Sequence, residues 1–545
     1  MVENRNNENK WRNVGLRSSF TFLEEELIMG YNDSHSMTCD MNMDCMRCKK
    51  ANCTIRKYDY DKMGKEIDLM ERVRLKKANR DNLYSLKPPF PKSNFLMELS
   101  NVCNHACIFC AHQKMERKVG KLNKEKAFDI LQQAYDLGTR EVGFYATGEP
   151  FLIPDLADYI AKAKEIGFTY VYLTSNGSVA TPEKIRAVIN AGLDSIKFSI
   201  NAPQRKLYEF IHGRDDFDKV VDHLKYLNQY RNETGKNYKI YVTGILTRFT
   251  ENLQDKYYEV FGDLCDQIVF KYVYNQGGYM PEIEEYLRCA CDNEERRKCN
   301  LPFDAISVTQ EGYLSIENAD YENMLIVADL NKVSLKDGWY GDVMKDMRRR
   351  FMEDDLKGTL CDGCVHHTHA PAKPVMSEYS EVKGEYIFDD SIVRERVENS
   401  NLTVYVPMAC DIIHSGHINI IRTASKYGKV IVGLFTDEAI ASYKRVPYMP
   451  YEERKAVVEH IKGVSEVIPQ VTRDYTPNLR MLQADFMVHG KDWREGPLAT
   501  VRQQAIDVMA EWGGQVIEPD YTQGVSSTMI QKKIAERAVE EVGKQ

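Results

Sequence analysis

The chain has 545 residues, too many for a single core at a soft prior of ~150 residues per domain, so three or four domains are expected. Hydrophobic residues make up 43% and mean hydropathy is -0.48; the longest apolar runs, such as VIVGLF at 430–435, fall far short of the ~18 residues that cross a bilayer, which excludes a membrane segment. The 73 basic and 81 acidic side chains are interspersed and leave a net charge of -8, so no basic stripe points to nucleic acid, and small molecules or another protein are the expected partners.

The first residues, MVENRNNENKWRNVG, are polar and lack the apolar core of a secretory signal, so a cytoplasmic location is expected, which suits reduced thiols. Of the 14 cysteines, ten fall into three local groups or recognisable positions, which argues for metal ligation. The first group lies in an N-terminal extension, residues 1–90. Cys39, Cys45, Cys48 and Cys53 are spaced Cys-x5-Cys-x2-Cys-x4-Cys, enough ligands for zinc or a cluster, with unliganded surface thiols as the alternative.

Over residues 91–285, strand-like runs (FLMELS, REVGFYA, YVYLTS, SIKFSI, KIYVTGIL and QIVFKYV) alternate with helical patterns, which predicts a β/α layout with a parallel sheet. Such folds place ligands on loops at the carboxyl ends of the strands, and Cys103, Cys107 and Cys110 follow the first strand. Three thiolates spaced Cys-x3-Cys-x2-Cys can hold three irons of a [4Fe-4S] cluster and leave the fourth iron open, whereas zinc takes four ligands. Phe109, just before the last cysteine, is placed to pack beside such a cluster.

This motif resembles the radical S-adenosylmethionine (SAM) superfamily, and the resemblance implies a partial (β/α)6 barrel. It implies that Gly148-Glu149-Pro150 binds the SAM amino group, and that Asn176, in Ser175-Asn176-Gly177, with Ser199 and Asn201 contacts the methionine carboxylate and ribose. Each of these alone reads as a turn or helix cap. The implied reaction is one-electron reduction of the cluster, by a donor such as flavodoxin or ferredoxin, which cleaves SAM to a 5'-deoxyadenosyl radical that abstracts hydrogen.

Residues 286–375 carry Cys299, Gly312 and Cys361-Asp-Gly-Cys364, similar to the SPASM and Twitch extensions that hold auxiliary clusters. After the Gly312 hairpin, Glu317-Asn318 stands where the family carries cysteine. The resemblance implies an auxiliary [4Fe-4S] cluster on Cys299, Cys361 and Cys364, with Glu317 or a substrate oxygen on the fourth iron; loss of the cluster is the alternative. Such a cluster favours alcohol oxidation by accepting an electron, and a nearby hydrogen donor gives epimerisation instead. Cys265, Cys289 and Cys291 are unranked donors. His366, His367 and His369 read as solvated loop residues.

Residues 376–400 are charged, with little apolar periodicity, and read as a linker. From 401 to 545, strands LTVYV, KVIVGLF, ADFMVHG and GGQVIEP alternate with helices near 416–427, 452–462 and 500–511, a doubly wound α/β unit. His414-Ser-Gly-His417 opens a helix, where free amides and the helix dipole favour an anion. Together with HGKDW at 489–493 and YTQGVSSTMI at 521–530, this region resembles the cytidylyltransferases.

That resemblance implies that His414 and His417 stabilise charge on the α-phosphate of CTP, and that Lys444, Arg445 and Arg454 neutralise phosphates. It implies that Asp492 and Trp493 contribute to the substrate or cytosine pocket, while Ser526, Ser527 and Thr528 close over the phosphates. Asp411 is placed with the nucleotide-binding residues, Mg2+ accompanies CTP, and a homodimer through this domain is among the expected partnerships. Met408-Ala-Cys-Asp411, Tyr521-Thr-Gln-Gly524 and WREGPLATVRQQAIDVMAEWGG look closer to the phosphonate cytidylyltransferases linked to phosphoenolpyruvate mutase than to glycerol-3-phosphate enzymes. Lys491 departs from the acidic residue expected before Asp492.

The expectation is a bifunctional enzyme that cytidylylates a small phosphonate, such as 2-hydroxyethyl- or 2-aminoethylphosphonate, and performs radical oxidation or epimerisation on the same or a downstream molecule. A polyol phosphate such as glycerol-3-phosphate, in surface-glycan synthesis, is the alternative. A degenerate radical domain acting as an iron-sulfur scaffold is the non-enzymatic one.

Overall fold

The computed structural model describes residues 83–281, 283, 287, 299–387, 391–520, 522 and 524–542; Cys39, Cys45, Cys48, Cys53, Cys289 and Cys291 lie outside them. The chain divides into two units, residues 1–390 and 391–545. No helix among the described residues is long and apolar enough to cross a membrane.

In the first unit, β1 (Phe95–Met97), β2 (Glu141–Gly143), β3 (Tyr170–Ser175), β4 (Ser195–Ser199), β5 (Lys239–Leu246) and β6 (Gln267–Tyr272) pair in chain order, all parallel. Their runs are apolar because both faces of the sheet are covered. The helix Lys124–Asp136 shows how: Ala127, Ile130, Leu131 and Ala134 form its buried stripe, and Asn123 caps its start by accepting from the Lys126 N–H. The parallel sheet with intervening helices is the architecture that the alternation predicts.

The region expected as a separate extension shares this sheet. β7 (Ile306–Val308) pairs parallel with β1, and β8 (Tyr313–Ser315) and β9 (Ile326–Asp329) follow antiparallel, giving nine strands in the order β6-β5-β4-β3-β2-β1-β7-β8-β9. Gly312, at φ 83, makes the β7–β8 turn. The helix Leu360–His366 then carries Cys361 and Cys364.

Residues 376–387, read from their charge as linker, are fastened to the first unit instead. The Ser380 hydroxyl donates to the Glu322 carbonyl at 2.8 Å, Ala372 bridges to Tyr386, and the Tyr386 ring meets Tyr279 edge-on at 5.1 Å. The helix Ser391–Glu398 belongs to the second unit.

The second unit is a five-stranded parallel sheet ordered β12-β11-β10-β13-β14, from β10 (Thr403–Met408), β11 (Lys429–Phe435), β12 (Val464–Gln470), β13 (Phe486–Val488) and β14 (Gln515–Ile517). The order reverses between β10 and β13, and a doubly wound sheet opens its ligand crevice at that point, outside the carboxyl ends of the strands.

A buried ion pair fastens the first unit's two halves. Arg117 Nη2 donates to both Glu98 carboxylate oxygens, at 2.9 and 2.8 Å, and Nη1 donates to Asn323 Oδ1 at 2.9 Å. Glu98 also accepts from the Gln310 N–H at 3.0 Å and from the Thr147 hydroxyl, while Glu322 accepts from the Glu116 and Arg117 N–H groups at 2.6 and 3.0 Å. Removing one partner of such a pair leaves an uncompensated buried charge. Arg117→Met is therefore expected to destabilise the protein by ~3–5 kcal/mol in denaturant unfolding, with much of the loss recovered by adding Glu98→Gln. A single-variant loss below ~1 kcal/mol contradicts this account.

Candidate active sites

The first site is assembled where β1 to β4 end. Glu149 donates its N–H to the Val102 carbonyl at 2.8 Å, pinning the loop after β2 against the chain entering the cysteine motif. A Cβ at Gly148 would lie 2.2 Å from the Ser100 carbonyl oxygen, so that approach requires glycine. The buried Glu149 carboxylate accepts from the Phe151 N–H at 3.0 Å, the Ser175 hydroxyl at 2.8 Å and the Asn176 N–H at 2.7 Å, and Pro150 opens the short turn between them.

Asn176 Nδ2 donates to Asn104 Oδ1 at 2.9 Å, and Asn104 Nδ2 donates to Ser178 at 2.7 Å, which ties the end of β3 to the cysteine loop. Asn201, past the end of β4, accepts from the Ile245 N–H at 3.0 Å. Ser199 closes β4 half-buried, and Phe109 is buried. Gly148, Glu149, Asn176, Ser199 and Asn201 thus all stand at the carboxyl-end face of successive strands.

Burial pushes the Cys103 thiol up to about 12 and raises Cys110 as well, so both keep their protons until a cation displaces them. Among the described residues, the one group of three His, Cys or carboxylate ligand atoms all within 4.8 Å of one another is His105, Cys107 and His212. The sulfurs of Cys103, Cys107 and Cys110 are spread more widely than that. Thiolates on one zinc, each ~2.3 Å from it, cannot stand so far apart, so the donor set fits a multi-iron cluster better than a single ion.

His212 was not legible in the sequence. Its Nε2 accepts the Asn201 N–H at 3.0 Å, so the neutral ring carries its proton on Nδ1, which lies 3.2 Å from His105 and 3.7 Å from the Cys107 sulfur. Tyr321 was equally unmarked, and its hydroxyl lies 3.3 Å from the Cys110 sulfur.

In the second cysteine group, Cys361 and Cys364 are buried with Glu317, and Cys299 is half-buried. Burial and the Glu317 charge push Cys299 up to about 12; Cys361 is raised by burial and then by Cys299, Cys364 and Glu317; Glu317 itself is pushed up to about 7 by burial. Three thiols and a carboxyl that oppose one another's ionisation are a donor set that a cationic group would relieve. The turn at 275–278 clamps the cysteine helix: Asn275 Nδ2 donates to the Gly363 carbonyl at 2.9 Å, and a Cβ on Gly278 would lie 2.8 Å from the Leu360 oxygen. His366 is held between Asp362 and Asp354, at 2.7 and 2.8 Å, away from any ligand role.

In the second unit, His414 caps the helix Ser415–Ser425 that follows β10. Its Nδ1 accepts the Gly416 N–H at 3.1 Å, and His417 Nδ1 accepts the His414 N–H at 3.4 Å. Because a backbone N–H can only donate, both neutral rings carry their proton on Nε2. Burial lowers His414, and it lowers His417 to about 4 with help from the His414 and Lys444 charges. Two Nε2–H donors and a helix N-terminus are presented together, as an oxyanion requires.

Asp411 organises the facing loop. It accepts from Arg445 Nη2 at 2.6 Å and from the Tyr448 N–H at 2.7 Å, and the Arg445 guanidinium lies over the Tyr448 ring at 3.5 Å. Ser526 accepts the Met529 N–H at 3.1 Å at the start of the last helix, Ser527 donates to the Ile412 carbonyl at 3.4 Å, and Thr528 is exposed.

Two residues stand elsewhere than the sequence suggested. Arg454, expected to neutralise phosphate, is fully buried: Nε donates to the Met449 carbonyl at 3.0 Å, Nη1 to the Ala409 and Phe435 carbonyls at 2.7 Å, and Nη2 to Asp437. It locks the ends of β10 and β11, with four of its five N–H donors committed to the protein and the whole side chain withdrawn from solvent. Trp493, expected in the substrate or cytosine pocket, lies in the core, its indole donating to Glu518 at 2.7 Å and stacking on His489 at 4.0 Å; its neighbour Asp492 is exposed.

The Radical SAM superfamily model matches residues 97–255, and the Cytidylyltransferase-like model matches residues 410–533. The chain carries a radical SAM domain and a cytidylyltransferase-like domain. That content marks it as an enzyme, and a radical SAM domain implies a [4Fe-4S] cluster and SAM.

A probable GTP 3',8-cyclase of Saccharolobus islandicus is 31% identical over 135 residues, 25% of this chain and 43% of that protein; another from Sulfurisphaera tokodaii is 30% identical over 129 residues, 23% and 40% respectively. The chain therefore spans less than half the length of the curated relatives it matches. Among solved structures, Streptococcus suis SuiB bound to S-adenosylmethionine covers 51% of this chain and 72% of its own at 17% identity and a TM-score of 0.38. A lipopolysaccharide core biosynthesis protein from Thermoplasma volcanium covers 22% and 96% at 19% identity and 0.20.

His417 gives a pH signature. Its folded value of about 4 lies below the ordinary 6.5, so between those values the unfolded chain binds more protons, and stability rises with pH across the window and is lost as pH falls through it. Chemical denaturation from pH 4 to 6.5 should show this rise, with a smaller slope in His417→Asn. An unchanged slope contradicts the buried, neutral imidazole.

Proposed function

We propose that this chain is a bifunctional enzyme: the cytidylyltransferase-like domain joins CTP to a small phosphonate of the 2-hydroxyethyl- or 2-aminoethylphosphonate type, and the radical SAM domain oxidises or epimerises the same or a downstream molecule. The observation that carries the first activity is the His414–His417 pair, two neutral imidazoles with their Nε2 protons free at a helix N-terminus. They donate to oxygens of the α-phosphate as a phosphonate oxygen attacks phosphorus in line; the new P–O bond forms as the bond to pyrophosphate breaks. Lys444 and Arg445 offset the phosphate charge, with Arg445 held in place by Asp411. A magnesium ion arriving with CTP supplies further charge screening. Arg454 positions the strand ends and is assigned no contact with phosphate.

The Met408-Ala-Cys-Asp411 and Tyr521-Thr-Gln-Gly524 forms support a phosphonate over glycerol-3-phosphate. In the radical SAM domain, Cys103, Cys107 and Cys110 would hold the cluster, and Glu149, with three hydrogen bonds of its own, stiffens the loop beside it. The cluster and SAM, when bound, supply the one-electron chemistry, with flavodoxin or ferredoxin as the electron source. Cys299, Cys361 and Cys364, with Glu317 as the oxygen ligand, would hold an auxiliary cluster; their burial and mutual charge opposition support it.

Pyrophosphate release from CTP should occur with 2-hydroxyethyl- or 2-aminoethylphosphonate, and His417→Ala should slow it ~10²–10³-fold, the usual effect of removing one donor to a developing charge. Turnover of glycerol-3-phosphate alone defeats the phosphonate reading. For the auxiliary cluster, Cys361→Ala should lower the iron content of anaerobically reconstituted protein by about four per chain. An unchanged iron count overturns it.

A further inference from the structure

Tyr321 occupies a position that the proposed reactions leave without a role. Its ring is buried and fixed edge-on against Tyr279 at 5.6 Å, and the Tyr279 hydroxyl is itself anchored by donating to Asp320 at 2.8 Å. The Tyr321 hydroxyl sits between two groups: the Cys110 sulfur at 3.3 Å and Gln276 Oε1 at 2.8 Å. Cys110 and Tyr321 are 211 residues apart, so this contact is made only by the tertiary fold that joins β1 to the β7–β9 extension.

The proton count in this triad depends on what Cys110 carries. As a thiol, Cys110 has a proton to share, and the phenol gives its own to Gln276. As a thiolate on iron, Cys110 can only accept. A phenol has one proton, so it turns to sulfur. The Gln276 side chain can meet that change without moving its backbone, because rotating the amide by half a turn replaces Oε1 by Nε2–H as the group facing the phenolic oxygen. The turn carrying Gln276 is held rigid by the Asn275 bond to Gly363.

We propose that the Tyr321 hydroxyl donates a hydrogen bond to the Cys110 thiolate of the radical SAM cluster, with the turned Gln276 amide supporting the phenol from its other side, and that this hydrogen bond raises the cluster's reduction potential. Hydrogen bonds to cluster sulfurs are among the factors that set such potentials, and a donor favours the reduced state because that state places more negative charge on sulfur. Tyr321 is a positioning residue in this sense: it acts through Cys110. The inference rests on the reading that Cys103, Cys107 and Cys110 carry a cluster.

The test uses the full chain, anaerobically reconstituted with iron and sulfide, and follows by EPR the reduced-cluster signal that changes when SAM is added. Tyr321→Phe should retain the iron content and the SAM response, while its midpoint falls by about tenfold in the reduction equilibrium, ~59 mV for one electron. An exchangeable proton coupled to the cluster, lost on transfer to D2O, should be present in the parent and missing in Tyr321→Phe. Gln276→Leu, which cannot support the turned phenol, should shift the midpoint the same way by less. An unchanged midpoint and proton coupling in an iron-replete Tyr321→Phe overturns the proposal. Should Tyr321→Phe assemble no cluster, Gln276→Leu decides alone, and an unchanged midpoint there overturns it as well. Parent protein that takes up no iron on the three motif cysteines overturns the cluster assignment itself, an outcome distinct from those two.

Discussion

A guanidinium buried against a carboxylate holds the radical SAM domain in its working shape. Arg117 and Glu98 are both almost wholly withdrawn from water, at 3% and 2% exposure. Charges taken out of solvent persist only where hydrogen bonds replace the lost hydration. Those bonds come from the end of β1, the loop after β2, the β7–β8 turn and residues 322–323, so the pair makes these segments interdependent. The cysteine motif begins five residues after Glu98 in the sequence, and Tyr321 immediately precedes Glu322. The same anchorage therefore positions both the motif thiols and the hydroxyl that reaches Cys110.

The cytidylyltransferase-like domain solves a parallel problem with a different pair. Arg454 ties the carboxyl ends of β10 and β11, and Asp411 gathers Arg445 and the 448–449 backbone above them. With the strand ends fixed, the helix after β10 starts where the two histidines can present their Nε2 protons. Backbone donors on both Nδ1 atoms select that tautomer before any ligand arrives, and preorganised donors of this kind cost no rearrangement during reaction.

Much of this was written in the sequence where local pattern and tertiary role coincide. The six core strands and four of the five in the second sheet stand out as apolar runs because both their faces are covered. β12 was missed: in VSEVIPQ, Ser465 and Glu466 are exposed, and an edge strand need not advertise itself by apolarity. The cysteine and histidine motifs were legible because fixed spacing next to a strand end is a local property. Arg117, Tyr321 and His212 were not, since each owes its role to a contact made across 19 to 211 residues of chain. Arg454 and Trp493 misled for the same reason: residue type suggested a ligand contact, and only burial reveals that their polar atoms are already engaged. The charge of 376–387 likewise concealed anchoring contacts made by Ser380, Tyr379 and Tyr386.

The central claim is that one polypeptide houses two independent reactive centres, one built on iron and one on a histidine-capped helix. The most direct measurement is a single anaerobic incubation of the reconstituted full chain with SAM, a one-electron reductant, CTP and 2-hydroxyethyl- or 2-aminoethylphosphonate, resolved by mass spectrometry. The account predicts a CMP-phosphonate that disappears in His414→Ala but survives in Cys103→Ala, and 5'-deoxyadenosine with the opposite dependence on cluster loss. Failure to form either 5'-deoxyadenosine or a CMP conjugate with any of these substrates would contradict it.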